Sequence, residues 1–116
     1  MSNSVIDSEE RIQTMCYVWF NNEFPALRGL LCYNLGNSKN AIQGAKNRAM
    51  GLQRGRSDMV LYFNGTATMI ELKTASGEQS DAQKDWELAV RIQGFEYHLV
   101  RSLSEFQKII LTILKK

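Results

Sequence analysis

Apolar and polar positions alternate along this chain with two different periods. From about Ser8 to Glu23, Ile12, Cys16 and Trp19 recur at helical spacing, and Asp7 or Ser8 precedes them as an N-cap. Pro25 then ends that helix. "LLCYNL" from Leu30 reads as a short strand, Gly36 to Asn40 as a turn or loop, and "AIQGAKNRAM" as a helix closed by Gly51. After a loop, "LQRGRS", two apolar runs flank Asn64-Gly65, a strong short-range hairpin signal. "ASGEQS" is a loop. Ser80 with Gln83 forms a capping box that opens a helix to about Gln93. "FEYHLV" reads as a strand, and Ser102 with Glu105 opens a terminal helix with Leu103, Phe106, Ile110 and Ile113 on one face. The order αβαββαβα predicts an α/β fold: a small mixed β-sheet of about four strands flanked by helices.

The bulk numbers narrow the class. A length of 116 residues, 44% hydrophobic and 22% charged, fits one compact globular domain over 1–116. No run of apolar residues is long enough to span a membrane, and the N-terminus has neither the basic nor the apolar region of a secretory signal. Cys16 and Cys32 lie in apolar runs and are expected to be free thiols, which suits a reducing cytoplasm. The net charge of +2 is unevenly spread. Six basic residues (Arg28, Lys39, Lys46, Arg48, Arg54 and Arg56) and no acid lie between Phe24 and Ser57. Two readings of that stretch stay open: a solvated face, or a surface for a polyanion such as nucleic acid.

The hairpin sharpens the chemistry. A two-residue Asn64-Gly65 turn closes on Phe63 and Thr66, and carrying that register down the strands puts Asp58 directly opposite Glu71. Directly opposed residues have Cβ atoms roughly 5 Å apart, and like charges in that relation destabilise a sheet. Lys73 shares their face, while Ile70 and Leu72 point to the other. A hard divalent ion between the carboxylates removes the repulsion. The alternative is an ordinary solvated face with Glu71 and Lys73 as a weak surface pair.

The acid before one strand and Glu71-Leu72-Lys73 at the end of the next resemble the PD-(D/E)XK nuclease signature. "GLQRGRSDMVL", "IELKTASGEQSDAQKDW" and "GFEYHLVRSLSEF" together resemble the VRR-NUC family of that superfamily, over most of the chain and in the family's order. The sequence departs from the pattern at Arg56-Ser57, where the family commonly has Val-Pro, and at "GNSKNAIQGAK", which lacks the usual acid or glycine after the loop asparagine. Neither departure removes a motif acid.

The resemblance implies a restriction-endonuclease-like core and a nuclease that hydrolyses phosphodiester bonds in DNA with Mg²⁺ or Mn²⁺. It implies Asp58, Glu71 and the Leu72 backbone carbonyl as metal ligands. Lys73 would hold or deprotonate the attacking water or stabilise charge on the phosphate, and it also balances Glu71. Glu9, in "EERIQ", matches an early acid of the family and lies on the inward stripe of its helix, unlike Glu10; it would act through a second metal or a water. Its other reading is an acid favoured by the helix macrodipole. Gln83 is expected to contact phosphate or metal-bound water, or simply to cap its own helix. Trp86 is expected in the core, and the lone His98 in a structural or surface role. Lys39, Lys46, Arg48, Arg54 and Arg56 are the candidate DNA contacts. Stand-alone members resemble Holliday-junction resolvases, which implies branched DNA and a homodimer built on the first or the terminal helix. Alternatives are a nuclease of flap or linear DNA, and a nucleic-acid-binding subunit that does not cut.

Overall fold

In the computed structural model, which describes residues 7–34 and 40–115, the elements come in the expected order. They are α1 (Glu9–Glu23), β1 (Leu31–Tyr33), α2 (Ala41–Ala49), β2 (Met59–Phe63), β3 (Thr66–Leu72), α3 (Asp81–Ile92), β4 (Glu96–Val100) and α4 (Leu103–Leu114). The α/β class and the four-stranded mixed sheet hold: the strand order is β1-β2-β3-β4, antiparallel except for the parallel β3–β4 pair. That parallel pair needs a crossover, and α3 supplies it. One short element was not expected, a 3-10 turn at Pro25–Leu27. Pro25 starts it because a proline at the first position loses no hydrogen bond there.

Local chemistry sets the boundaries. Ser8 caps α1 by accepting from the Arg11 N–H, and Asn40 caps α2 by accepting from the Gln43 N–H. Ser80 and Gln83 form a complete capping box at α3. At α4 only half of the expected box forms. Ser102 accepts from the Glu105 N–H, but the Glu105 carboxylate turns to the backbone N–H of Arg101, one residue earlier than the N-cap. Asn64 and Gly65 both have positive φ (54° and 76°), the pair a type I′ turn requires. The register follows: Phe63 faces Thr66 and Met59 faces Ile70.

The two faces of the sheet have different fates. Ile12, Cys16 and Phe20 of α1 and Phe106, Ile110 and Ile113 of α4 bury one face with Leu31, Met59, Leu61, Ile70, Leu72 and Val100. Trp19, expected on the stripe of α1, sits at the rim of this core, edge-on to Phe24 and Phe106, and Phe20 takes the central position. Burial pushes the Cys16 thiol up to about 12, and both cysteines are free. The expected apolar face of α4 is thus spent inside this domain, with Leu111 left exposed. The opposite face carries Met69, Glu71 and Tyr97, and α3 packs over β4 there through Trp86, whose ring lies 6.0 Å from that of Tyr97. No helix among the described residues is long and apolar enough to cross a membrane.

Candidate active site

The site forms where β2 begins and β3 ends. Asp58 sits one residue before the first β2–β3 pair, so the register brings it beside Glu71. Three backbone links hold the approach: Asn34 N–H donates to the Asp58 carbonyl (2.8 Å), the Asn34 side-chain amide donates to the Ser57 carbonyl (3.0 Å), and the Ser57 hydroxyl donates to the Met59 carbonyl (3.0 Å). The Asp58 carboxylate itself accepts from the Leu72 N–H through Oδ2 at 2.7 Å. Burial raises the Asp58 pKa above the ordinary carboxylate range; the Leu72 hydrogen bond opposes this, and the neighbouring charges of Glu9 and Glu71 reinforce it.

Glu71 is wholly buried, an unusual place for a carboxylate. Its Oε1 accepts from the Tyr97 hydroxyl and from the Gln79 side-chain amide (3.0 Å). Its Oε2 is buried with no hydrogen-bond partner, and the Lys73 ammonium stands 3.9 Å away, at the limit of an ion pair. Lys73 is itself 8% exposed. The solvated-face reading of this pair therefore fails, because both groups are desolvated.

Glu9 is half-buried at the start of α1, close enough for its charge to act on Asp58, whereas Glu10 is exposed. Gln83 is engaged in the capping box: its side-chain oxygen accepts from the Ser80 N–H at 2.8 Å. Lys46 and Arg48 project from α2 and Arg54 from the loop before Asp58, all exposed, with Arg56 half-buried. Lys39 lies outside the described residues, as does most of the expected Gly36–Asn40 loop. His98 pairs with Ile70 rather than Glu71, which puts it on the opposite face of the sheet from the carboxylates.

Sequence reasoning missed Gln79 and Tyr97. Neither lies in an acid or lysine motif, and only the parallel β3–β4 pairing brings Tyr97 alongside the Glu71 face. It also missed why two glycines stand where they do. Gly55 has φ +77°, and a Cβ there would lie 2.2 Å from the Ala82 carbonyl oxygen, so the loop before Asp58 runs against the first turn of α3. Gly77 crosses close to Thr74 and the Lys73 side chain. Arg101 anchors that crossing by donating to the carbonyls of Thr74 and Gly77, each at 2.7 Å.

The donor set fits a hard divalent cation. Asp58 has a second oxygen beyond the one that Leu72 engages, and Glu71 Oε2 is a buried acceptor without a donor. Among the described residues no three acids, histidines or cysteines close a cage by themselves. Mg²⁺ is typically bound through one or two carboxylates and keeps several waters.

The described residues form four helices around a mixed four-stranded sheet, with two carboxylates and a lysine where β2 begins and β3 ends, and together they define an α/β domain. A solved structure described as "VRR_NUC domain protein" superposes on the chain with a TM-score of 0.80 and 17% sequence identity, covering 94% of this chain and 89% of that one. The chain has the VRR-NUC fold. No protein-family model matches the sequence, and no curated protein matches it.

Proposed function

We propose that the chain is a metal-dependent nuclease that hydrolyses phosphodiester bonds in DNA, with a single VRR-NUC-like domain over 1–116. The observation that carries this reading is the buried Glu71 Oε2, which lacks a hydrogen-bond donor and stands beside an Asp58 whose ionised form is disfavoured. A buried acceptor without a donor is costly, the Lys73 ammonium at 3.9 Å is only at the limit of an ion pair, and a divalent cation would supply a closer partner. The similarity of fold to a VRR_NUC domain protein supports the same activity.

Asp58 and Glu71 would hold Mg²⁺ or Mn²⁺, with the Leu72 carbonyl as a third ligand and Glu9 reaching the site through a second ion or a water. The bound ion supplies polarisation of a phosphoryl oxygen and a lowered pKa for the attacking water. The chain's own residues do the rest. Lys73, desolvated beside Glu71, offers an ammonium to the charge that grows on the phosphate or to the water itself. Gln83, where the α3 cap opens, donates from its amide to a phosphate oxygen. Arg54, Arg56, Lys46, Arg48 and Lys39 neutralise phosphates along the strand. Branched DNA cut by a homodimer is the preferred form of this reading, since a two-fold dimer would present two active sites to two strands.

Plasmid nicking with and without Mn²⁺, beside Asp58→Ala, tests the activity. Cleavage that needs the metal and vanishes in the variant supports it; tight metal-independent binding without cleavage means a non-cutting subunit instead. Four-way junction, flap and linear duplex substrates, compared at equal concentration, decide the substrate. Sedimentation of the free protein decides the oligomeric state.

A further inference from the structure

We propose that Tyr97 and Gln79 are positioning residues that aim Glu71 at the catalytic cation, an inference that rests on the metal-dependent reading above. The two oxygens of Glu71 live in different surroundings. Oε1 receives two donors, the Tyr97 hydroxyl and the Gln79 amide, and Oε2 receives none. The terminal torsion of a glutamate is broad and roughly two-fold. Two donors on one oxygen remove that freedom and leave the other oxygen beside the Lys73 ammonium, 3.9 Å away.

The donors are themselves held. Gln79 spends its amide nitrogen twice, on Glu71 (3.0 Å) and on Glu87 Oε1 (2.9 Å). Glu87 Oε2 accepts from Arg91 Nε at 2.7 Å, and the same guanidinium donates to the Tyr97 carbonyl at 2.7 Å while lying 5.8 Å from the Tyr97 ring centre. The contacts close a circuit: Glu71, Gln79, Glu87, Arg91, Tyr97 and back to Glu71. Burial alone would raise the Glu87 pKa, but the bonds from Gln79 and Arg91 outweigh it and hold the carboxyl below its usual range, so this leg stays ionised. The inner members, Tyr97 and Gln79, touch the ligand; Arg91 is exposed and closes the circuit from outside.

The test compares Tyr97→Phe, which keeps the ring against Trp86 and Arg91, and Gln79→Met, which keeps the length and loses the donors. An exposed tyrosine, Tyr62→Phe, is the control. Mn²⁺ binding to the full chain is measured by calorimetry without DNA, and cleavage is titrated with Mn²⁺. Each positioning variant is expected to bind Mn²⁺ about tenfold more weakly, the usual scale for partners that orient a metal ligand. Saturating Mn²⁺ restores most of its cleavage rate, whereas a merely structural lesion lowers the rate at every metal concentration. If both variants keep their near-UV circular dichroism and bind Mn²⁺ as the wild type does, the positioning role is overturned and the nuclease reading stands. If Tyr97→Phe fails to fold, Gln79→Met alone decides between these outcomes. A wild-type protein that takes up no Mn²⁺ overturns both.

Discussion

Opposing influences meet at the Asp58 carboxyl: burial, Glu9 and Glu71 push its pKa up, while the Leu72 N–H and the Lys73 charge pull it down. The net direction is upward, so the folded protein holds the Asp58 proton more readily than the unfolded chain does. Linkage then makes the metal-free protein gain stability as pH falls through the folded-state pKa toward the ordinary carboxylate range, and lose it as pH rises. Asp58→Asn keeps an oxygen for the Leu72 N–H and removes the charge. In EDTA its melting temperature should exceed that of the wild type at pH 7, and the gap should narrow by pH 4, as thermal scans across that range would show. Added Mn²⁺ should raise the wild-type melting temperature and leave Asp58→Asn unmoved. At Lys73 the ion-pair and catalytic readings separate by substitution. Lys73→Met keeps the stem and drops the charge; single-turnover cleavage should fall roughly 10²–10³-fold, the scale of losing one fixed group at a developing charge. A role limited to balancing Glu71 would leave the rate nearly unchanged.

At the scale of elements, the loop of residues 52–57 and the start of α3 act as one unit. Gly55 lets the loop touch the α3 backbone, and Arg101 ties the next crossover to the end of β4. Gly55→Ala meets both a positive φ and a collision with the Ala82 carbonyl, so it should cost roughly 2–4 kcal/mol and reduce cleavage by displacing Asp58. Gly51→Ala makes the comparison: φ is +105° but nothing lies within 4 Å of a new Cβ. Strain alone should cost about 1–2 kcal/mol there, with cleavage intact. Urea titrations of both variants, run beside the cleavage assay, measure the difference. The elements themselves were largely legible in the sequence. Ser8, Asn64-Gly65 and Ser80-Gln83 are local chemistry with local consequences, and each acts where it was expected to. Glu105 was half misread because its carboxylate can satisfy either of two neighbouring N–H groups, and the chain entering α4 decides which.

Over the whole molecule, the sheet separates two tasks. One face holds the apolar core beneath α1 and α4, and the other carries the charged residues that α3 partly covers. Of the basic residues between Phe24 and Ser57, Lys46 and Arg48 sit on α2 and Arg54 and Arg56 on the approach to Asp58. If they meet phosphates, DNA affinity must fall with salt, and each contact removed should lower the slope of log K against log salt by about 0.9. Arg54→Ala in an Asp58→Asn background, which cannot cut, should show that change in a fluorescence-anisotropy titration; an unchanged slope would return Arg54 to the solvated face.

By itself the sequence determined the periodicities, the caps, the tight turn and, through that turn, the adjacency of Asp58 and Glu71, because each depends on residues close together along the chain. Tertiary structure alone decided that Glu71 is fully desolvated, that Tyr97 and Gln79 share one of its oxygens, and that His98 lies on the far face. The places of Tyr97 and His98 depend on a parallel pairing between strands separated by a helix. No local pattern encodes which side chains such a pairing brings together.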